Sequence, residues 1–307
     1  MTDALWTTHV FRGRRLEVAK TGAVAGRDCE PLASAASRVA FDAPVRLMAP
    51  ALRALRGARR PSLWFAPDWP GRGDLIWAAA AWGGVRIAER PSDADPAFCF
   101  ADATRGHAPT PRNAKQLSFG GLDVSKRRVA AVFEQVFGYS LALDPARSSG
   151  YAIEKSEVNG LHDSRIVRCP LQPKPARVYQ RIIENIEDDQ AVDLQTLFIG
   201  GKPVVVFVAR RPKHRRFDNC ASSVSLARPE QMFSTAEIAR LQAFAEAMKL
   251  EWGGLDVLRD RFSNRIYVAS VNKTGTPPRA LPWRDKLRAV SRLGRALREL
   301  IEKEETR

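Results

Sequence analysis

The chain has 307 residues, 45% hydrophobic and 8% aromatic, with 49 Lys and Arg against 34 Asp and Glu, a net charge of +15. That length and apolar content suffice for a packed globular core, and the longest apolar stretches, "LIWAAAAW" and "PVVVFVA", fall well short of the roughly 20 residues that span a bilayer. The charge points to an anionic partner such as a nucleotide, a nucleic acid, an acidic polymer or a lipid surface; against this, arginine is spread over the whole chain with no low-complexity basic tail.

The start, "MTDALWTTHVFRGRR", lacks the pattern of a secretory signal, so a cytoplasmic location is expected. Cys29, Cys99, Cys169 and Cys220 form no CxxC pair, which argues for plain thiols rather than a zinc ribbon or a disulfide framework. His9, His107, His162 and His214 have no metal-ligand spacing.

Residues 1–44 show little periodicity and read as an extension. "PVRLMAPALRALRG" is helical in pattern, with Val45, Leu47, Met48, Leu52 and Leu55 at helical intervals. "SLWFAP" (62–67) reads as a strand, "GDLIWAAAAW" (73–82) as a buried helix stopped by Gly83 and Gly84, and "VRIAE" (85–89) as a second strand, with "AFCFAD" (97–102) a third. This is a compact βαβ unit. The "PGRGD" turn (70–74) is glycine-rich before a helix but matches no phosphate-loop motif.

"DVSKRRVAAVFEQVFGYSLALDP" (123–145) predicts an amphipathic helix capped by its leading acid and serine, with Val129, Val132, Phe133, Val136 and Phe137 as the apolar stripe. Strands follow at 151–156, 164–169 and 177–183, and "VDLQTLFIGGKPVVVFVARRP" (192–212) predicts a hairpin turning at Gly200 and Gly201. "FSTAEIARLQAFAEAMKL" (233–250) predicts a helix with a Ser234–Glu237 capping box. The chain ends in a helical pattern with Leu287, Val290, Leu293, Leu297, Leu300 and Ile301 on one face, expected to pack on the domain. There is no internal repeat.

"EWGGLDVLRDRFSNRIYVASVNKTGTPP" (251–278) predicts a further hairpin with Asp256 on one strand and Asn272 at the end of the other. Mg²⁺ prefers octahedral oxygen coordination and takes only one or two protein groups, the rest being phosphate oxygens and water. One aspartate and one asparagine would begin such a site, although Asp and Asn are also common near turns.

In sequence and in order, "DVSK", "EKS", "VYQRIIEN", "DLQTLFIGGKPVVVFVARRP", "GGLDVLRD" and "VNKTGTPP" resemble the ATP-grasp superfamily of carboxylate ligases, over roughly residues 115–280. The fold class implied is α/β (α+β): two α+β lobes enclose a nucleotide cleft, preceded by a small parallel α/β domain. The expected division is an extension (1–44), a preceding α/β lobe (45–122), an ATP-grasp module (123–285) with its lid at about 150–184, and a C-terminal helix (286–307).

The resemblance implies roles residue by residue. Lys126 and Lys155 would hold the nucleotide phosphates, as compact charges with three donors each. Gln180, Arg181, Ile182 and Ile183 match the hinge whose backbone reads the adenine edge, with Glu184 a ribose contact and Ser156, Asn159, Gly160 and His162 on or beside the lid loop. Arg210 or Arg211 would stand beside the transferring phosphoryl group, with Lys273 a further catalytic candidate. Asp256 and Asn272 would hold Mg²⁺. Two positions depart from the family pattern. Ser270 stands where a carboxylate usually precedes the metal-binding asparagine by two residues, and Gln195 replaces the arginine of a D-L-R motif.

The reading is an ATP-dependent ligase that activates a carboxylate as an acyl phosphate for attack by an amine, with ATP and Mg²⁺ as cofactors. The basic surface suits an acidic peptide or polysaccharide substrate, and a homodimer is a further candidate partner. Two alternatives stand beside it: a degenerate ATP-grasp domain that binds nucleotide without turnover, and a nucleic-acid or anionic-surface binder.

Overall fold

The computed structural model describes residues 9–12, 15–18, 45, 47–48, 61–71, 73–94, 96–101, 103–106, 115–118, 120–121, 123–161, 163–218, 221–275 and 277–305. Within the first segments, β1 (His9–Arg12) and β2 (Arg15–Val18) pair antiparallel, a hairpin inside what the sequence reads as a featureless extension. Val45, Leu47 and Met48 are helical, and the rest of that expected helix lies outside the described residues.

A small parallel sheet follows. Its strands are β3 (Ser62–Pro67), β4 (Arg86–Ile87), β5 (Pro96–Phe100) and β6 (Lys115–Leu117), in the order β4-β3-β5-β6. Helix α1 (Leu75–Gly83) crosses from β3 to β4 and stops at Gly84, whose φ of +73° is the left-handed conformation glycine adopts without cost.

Helix α2 (Lys126–Phe137) starts where expected, but Ser125 makes no side-chain cap bond; its backbone N–H instead donates to Asp123 Oδ1 at 2.9 Å. Strands β7 (Gly150–Ser156), β8 (Arg165–Cys169) and β9 (Arg177–Gln180) form an antiparallel sheet ordered β8-β7-β9, called the lid sheet for its place along the cleft described below.

The largest sheet is built on two hairpins. Strands β11 (Gln190–Ile199) and β12 (Lys202–Pro212) turn at Gly200 and Gly201, both at positive φ (57° and 73°) as a two-residue hairpin turn requires. Strands β14 (Trp252–Arg259) and β15 (Ile266–Asn272) form the second, and β13 (Ser223–Ala227) extends the order to β13-β12-β11-β14-β15, with β10 (Ile186–Glu187) also paired to β11. The short helix α3 (Pro229–Met232) leads into α4 (Thr235–Ala247), where Ser234 and Glu237 form the expected capping box. Helix α5 (Trp283–Glu305) closes the chain.

Alternation along these strands decides where the core ends and the site begins. Val192, Leu194, Val206, Val208, Leu255 and Val257 face one way and pack with Val129 and Phe133 of α2 and Leu241 and Phe244 of α4. Leu197, Ile199, Val205 and Phe207 face the other way and share a core with Val290, Leu293 and Leu297 of α5 and with Phe65, Leu75 and Ile76 of the small parallel lobe. Farther along this second face, Asp193 and Gln195 follow Leu197 on β11, and Arg211 follows Phe207 on β12. The sheet therefore turns from hydrophobic core to polar floor on a single face. Cys99 and Cys169 are free and buried, while Cys29 and Cys220 lie outside the described residues. No helix among the described residues is long and apolar enough to cross a membrane.

Candidate functional site

The polar end of the sheet floors a cleft of about 510 Å³, with the lid sheet, the start of α2 and the loops after β5 forming its other walls. In the lid, period-two alternation puts Ile153, Lys155 and Gln180 on the cleft side. Glu154 and Tyr179 face away, and the Tyr179 hydroxyl donates to the Glu154 carboxylate at 3.0 Å. Arg165 Nη2, 2.5 Å from Glu154, and Arg177 Nε, 3.3 Å from it, pair with its carboxylate on the face opposite Lys155.

On the floor, Asp256 of β14 stands in register with Ser270 of β15 on one side and Gln195 of β11 on the other. The Ser270 hydroxyl donates to Asp256 Oδ2. The β14–β15 ladder slips between Asp256 and Val257, so Ala269 has no partner in the register. Its carbonyl accepts from Lys155 Nζ at 3.1 Å, which ties the lid to the floor. Lys126 Nζ donates to the Val158 carbonyl at 2.7 Å and to Asn159 Oδ1 at 3.2 Å.

The two ammonium groups are held buried on the cleft wall, among other charged side chains. Burial, reinforced by neighbouring Lys126, pulls the Lys155 ammonium down to about 7 against the pull of Asp256 and Asp163. Burial likewise brings Lys126 down to about 8, although Asp163 and Glu157 favour its charged form. Both lysines thus hold their protons less firmly than a solvent-exposed lysine does.

At the far end of the floor a polar network joins β11 and β12 to the segment between β9 and β10. Arg211 Nη1 donates to Asp193 Oδ2, Asn185 Nδ2 donates to Asp193 Oδ1 at 2.9 Å, and Arg216 Nη2 donates to Asn185 Oδ1 at 2.9 Å and to the Ile183 carbonyl at 2.7 Å. Burial raises the Asp193 carboxyl, and Asp256 adds to this, while Arg211 opposes both. Among the described residues, two buried donors on the cleft walls, Gln180 Nε2 and Arg211 Nε, have no hydrogen-bond partner.

Most of the residues singled out from the sequence converge on this cleft: Lys126, Lys155, Asn159, Gly160, Gln180, Arg181, Ile183, Arg211, Asp256, Asn272 and Lys273 all line it. Others do not. Arg210 alternates to the opposite face of β12, which leaves Arg211 as the arginine on the cleft side. Ser156 is buried behind the lid loop, its hydroxyl accepting from the Val158 N–H at 3.1 Å. Ile182 and Glu184 stand outside the cleft wall, Glu184 being fixed through its N–H to Asp260 Oδ2 at 3.1 Å. His162 lies outside the described residues.

Asn272 reaches the cleft, but its side-chain oxygen already accepts from Thr274 N at 3.0 Å, Thr274 Oγ1 at 2.9 Å and Gly275 N at 3.1 Å. It acts as the cap of its own turn. Among the described residues no cluster of three or more His, Cys, Asp or Glu side chains could hold a metal alone. Asp256 fits a cation that draws its remaining ligands from phosphate and water.

Asn185 and Arg216 do not stand out in the sequence, whereas Asp193 opens the D-L-Q segment two positions before Gln195.

No protein-family model and no curated protein sequence matches this chain. Solved structures do match. The ATP-grasp ligase PsnB, complexed with a phosphomimetic variant of minimal precursor, Mg and ADP, aligns with a TM-score of 0.50 at 9% identity, over 81% of this chain and 99% of that one. In another structure of PsnB, with minimal precursor, the aligned part is 62% of this chain and 65% of that chain, with a TM-score of 0.42 and 12% identity. D-alanine–D-alanine ligase from Bacillus anthracis, complexed with ATP, gives 0.47 at 11% identity over 81% and 99%. The fold of this chain is the ATP-grasp fold, α/β in class.

Proposed function

We propose that the cleft binds ATP with Mg²⁺ and activates a carboxylate for attack by an amine. The observation that carries this reading is the convergence of Lys126 and Lys155, from two separate elements, on the floor that presents Asp256. Polyphosphate is the ligand class that rewards two buried, partly discharged lysines facing one carboxylate, because the carboxylate needs a cation to lie beside phosphate oxygens. In the solved PsnB structure named above, Mg and ADP accompany the precursor variant.

Asp256 would hold the Mg²⁺, which supplies electrostatic stabilisation of the terminal phosphates. Lys126 and Lys155 would neutralise phosphate charge, and Arg211, with its unpartnered Nε, would face the transferring group. In the reaction a substrate carboxylate oxygen attacks the γ-phosphorus and ADP leaves. The amine nitrogen then attacks the acyl carbon, phosphate leaves, and the nitrogen loses a proton. The basic charge of the chain suits an acidic acceptor.

A second reading is nucleotide binding without turnover. It is favoured by Ser270, a neutral group beside Asp256, and by the commitment of Asn272 to its turn. ADP release measured over a panel of amino acids and acidic peptides separates the two. Release that depends on one acid–amine pair and is lost in Lys155→Met supports the ligase; tight ATP binding with no release across the panel supports the binding module.

A further inference from the structure

We propose that the outward face of α5 is a docking surface for an acidic polypeptide, held there by a stripe of four arginines that starts near the cleft. That this polypeptide is the acceptor of the reaction rests on the ligase reading above; the surface itself rests on its own geometry. The apolar side of α5 is used up by the core, since Ala289, Val290, Leu293, Leu297 and Ile301 are at most 1% exposed. The opposite side carries Arg284, Arg288, Arg292 and Arg295, whose helical spacing stacks them along one line of about 16 Å. Arg284, Arg288 and Arg295 are exposed and Arg292 is half-buried. Glu299 and Glu302 continue the same line, so the positive charge is confined to the first part of the helix.

The fold makes little use of this charge. Arg284 lies over the Trp283 ring at 5.5 Å and Arg288 pairs with Asp285 at 3.1 Å, while Arg292 and Arg295 have no carboxylate partner among the described residues. Like charges three and four residues apart repel on a helix surface, and an anionic partner relieves that repulsion. The stripe is also placed with respect to the cleft. Lys273 and Arg279 line the cleft, and Trp283 begins α5 four residues after Arg279, so Arg284 lies within about 18 Å of the cleft wall. The other end of α5 lies at the β11–β12 turn, where a Cβ on Gly200 would meet Leu300 at 3.2 Å, at the opposite end of β11 from Asp193. The basic part of the helix is therefore the part next to the cleft. An extended peptide, at about 3.3 Å per residue, covers the stripe with about five residues and reaches the cleft with about five more, and its carboxylates match the guanidinium groups. A membrane surface would need an apolar side to bury, and on α5 only Trp283, 62% exposed, is left for that. A nucleic acid carries no carboxylate for the cleft to activate, whereas an acidic polypeptide does.

Binding of a fluorescent oligoglutamate of about ten residues to the full chain, followed by anisotropy at low salt, tests the surface. Two variants are compared with the wild type. One combines Arg284→Gln, Arg292→Gln and Arg295→Gln; the control removes the same charge from exposed arginines elsewhere, as Arg90→Gln, Arg147→Gln and Arg168→Gln. Melting temperatures check that each variant is folded. The stripe variant is expected to bind about tenfold more weakly, as the loss of three exposed charge pairs implies, the control to bind as the wild type does, and added salt to weaken wild-type binding. Absent binding to the wild type, equal weakening in both variants or weakening in neither overturns the surface. Tighter binding of polyuridylate or of phosphatidylserine vesicles than of the peptide, lost in the stripe variant, overturns the choice of partner. In ADP release with the same peptide and a panel of amino acids, the stripe variant should raise the peptide's KM by the same factor and leave kcat unchanged; a fall in kcat with KM unchanged contradicts docking. Stripe-dependent binding with no ADP release strikes the ligase reading and leaves the surface standing.

Discussion

Lys155 shows how one buried charge shapes the behaviour of the site. An unfolded chain carries this lysine near its ordinary value of 10.5, and the folded protein brings it to about 7 because burial disfavours the ammonium form. Between those values the unfolded chain binds more protons than the folded one, so this residue makes stability rise with pH from about 7 to about 10. Urea unfolding at pH 7 and pH 9 checks the sign. The wild type should gain about 2 kcal/mol more over that interval than Lys155→Met, since each tenfold difference in proton affinity between the folded and unfolded chain is worth about 1.4 kcal/mol. Equal gains would mean that the lysine is not discharged by folding. The same displacement predicts proton uptake on ATP binding at pH 8, because phosphate charge favours the ammonium forms of Lys155 and Lys126. Calorimetry in buffers of different ionisation enthalpy reads the number of protons directly, and an uptake of zero would contradict the arrangement. Ser270 gives a third prediction at this scale. Its hydroxyl donates to Asp256 from the neighbouring strand, so Ser270→Glu places a second carboxylate beside the first. The Mg²⁺ concentration needed for half-maximal ATP binding should fall several-fold; an unchanged requirement would show that the cation is not held at this position.

At the scale of elements, the interface of α1 with α5 depends on two facing glycines. A Cβ on Gly294 would sit 2.8 Å from the Ala79 carbonyl oxygen and 2.9 Å from Gly83 N, both backbone atoms with no rotamer to yield. Gly294→Ala should therefore cost about 1–3 kcal/mol by overpacking, seen as a lower melting temperature, although alanine is the better helix former in isolation. A neutral or stabilising result would mean that the two helices do not cross this closely. Much at this scale was legible in the sequence. The Gly200–Gly201 hairpin and the Ser234–Glu237 box were readable because the local chemistry permits few alternatives. Asp256 and Lys155 are candidates because the segment order resembles a known superfamily, and the structure brings both to one cleft. What stayed hidden depended on contacts between elements. Ser125 sits where a cap belongs, but it makes no cap bond, and only the packed structure shows this. Arg210 and Arg211 are adjacent, and only the register of β12 tells which one faces the cleft. Asn272 reads as a cation ligand in the sequence, and only the structure shows that its oxygen accepts from the turn that follows it. The hairpin at residues 9–18 and the three-residue β6 have too little periodicity to stand out.

At the scale of the whole molecule, one sheet serves two purposes. Helices α2 and α4 cover one face, while the other is sealed by α5 and the small parallel lobe at one end and opens into the cleft at the other. The lid closes over that open end through Lys155 on Ala269 and Asn159 Nδ2 on the carbonyls of Val124 and Val271, at 3.1 and 3.0 Å. Any ligand that sits between lid and floor touches several elements at once and so opposes their unfolding. The most direct test is the melting temperature of wild type and Lys155→Met, each with and without ATP and Mg²⁺. At about 100 times the dissociation constant, bound nucleotide adds about 2.7 kcal/mol, a rise of several degrees for the wild type. Lys155→Met should melt higher than wild type when free, because a buried charge is gone, and should gain nothing from nucleotide. An absent rise in the wild type, or an equal rise in the variant, would contradict the account.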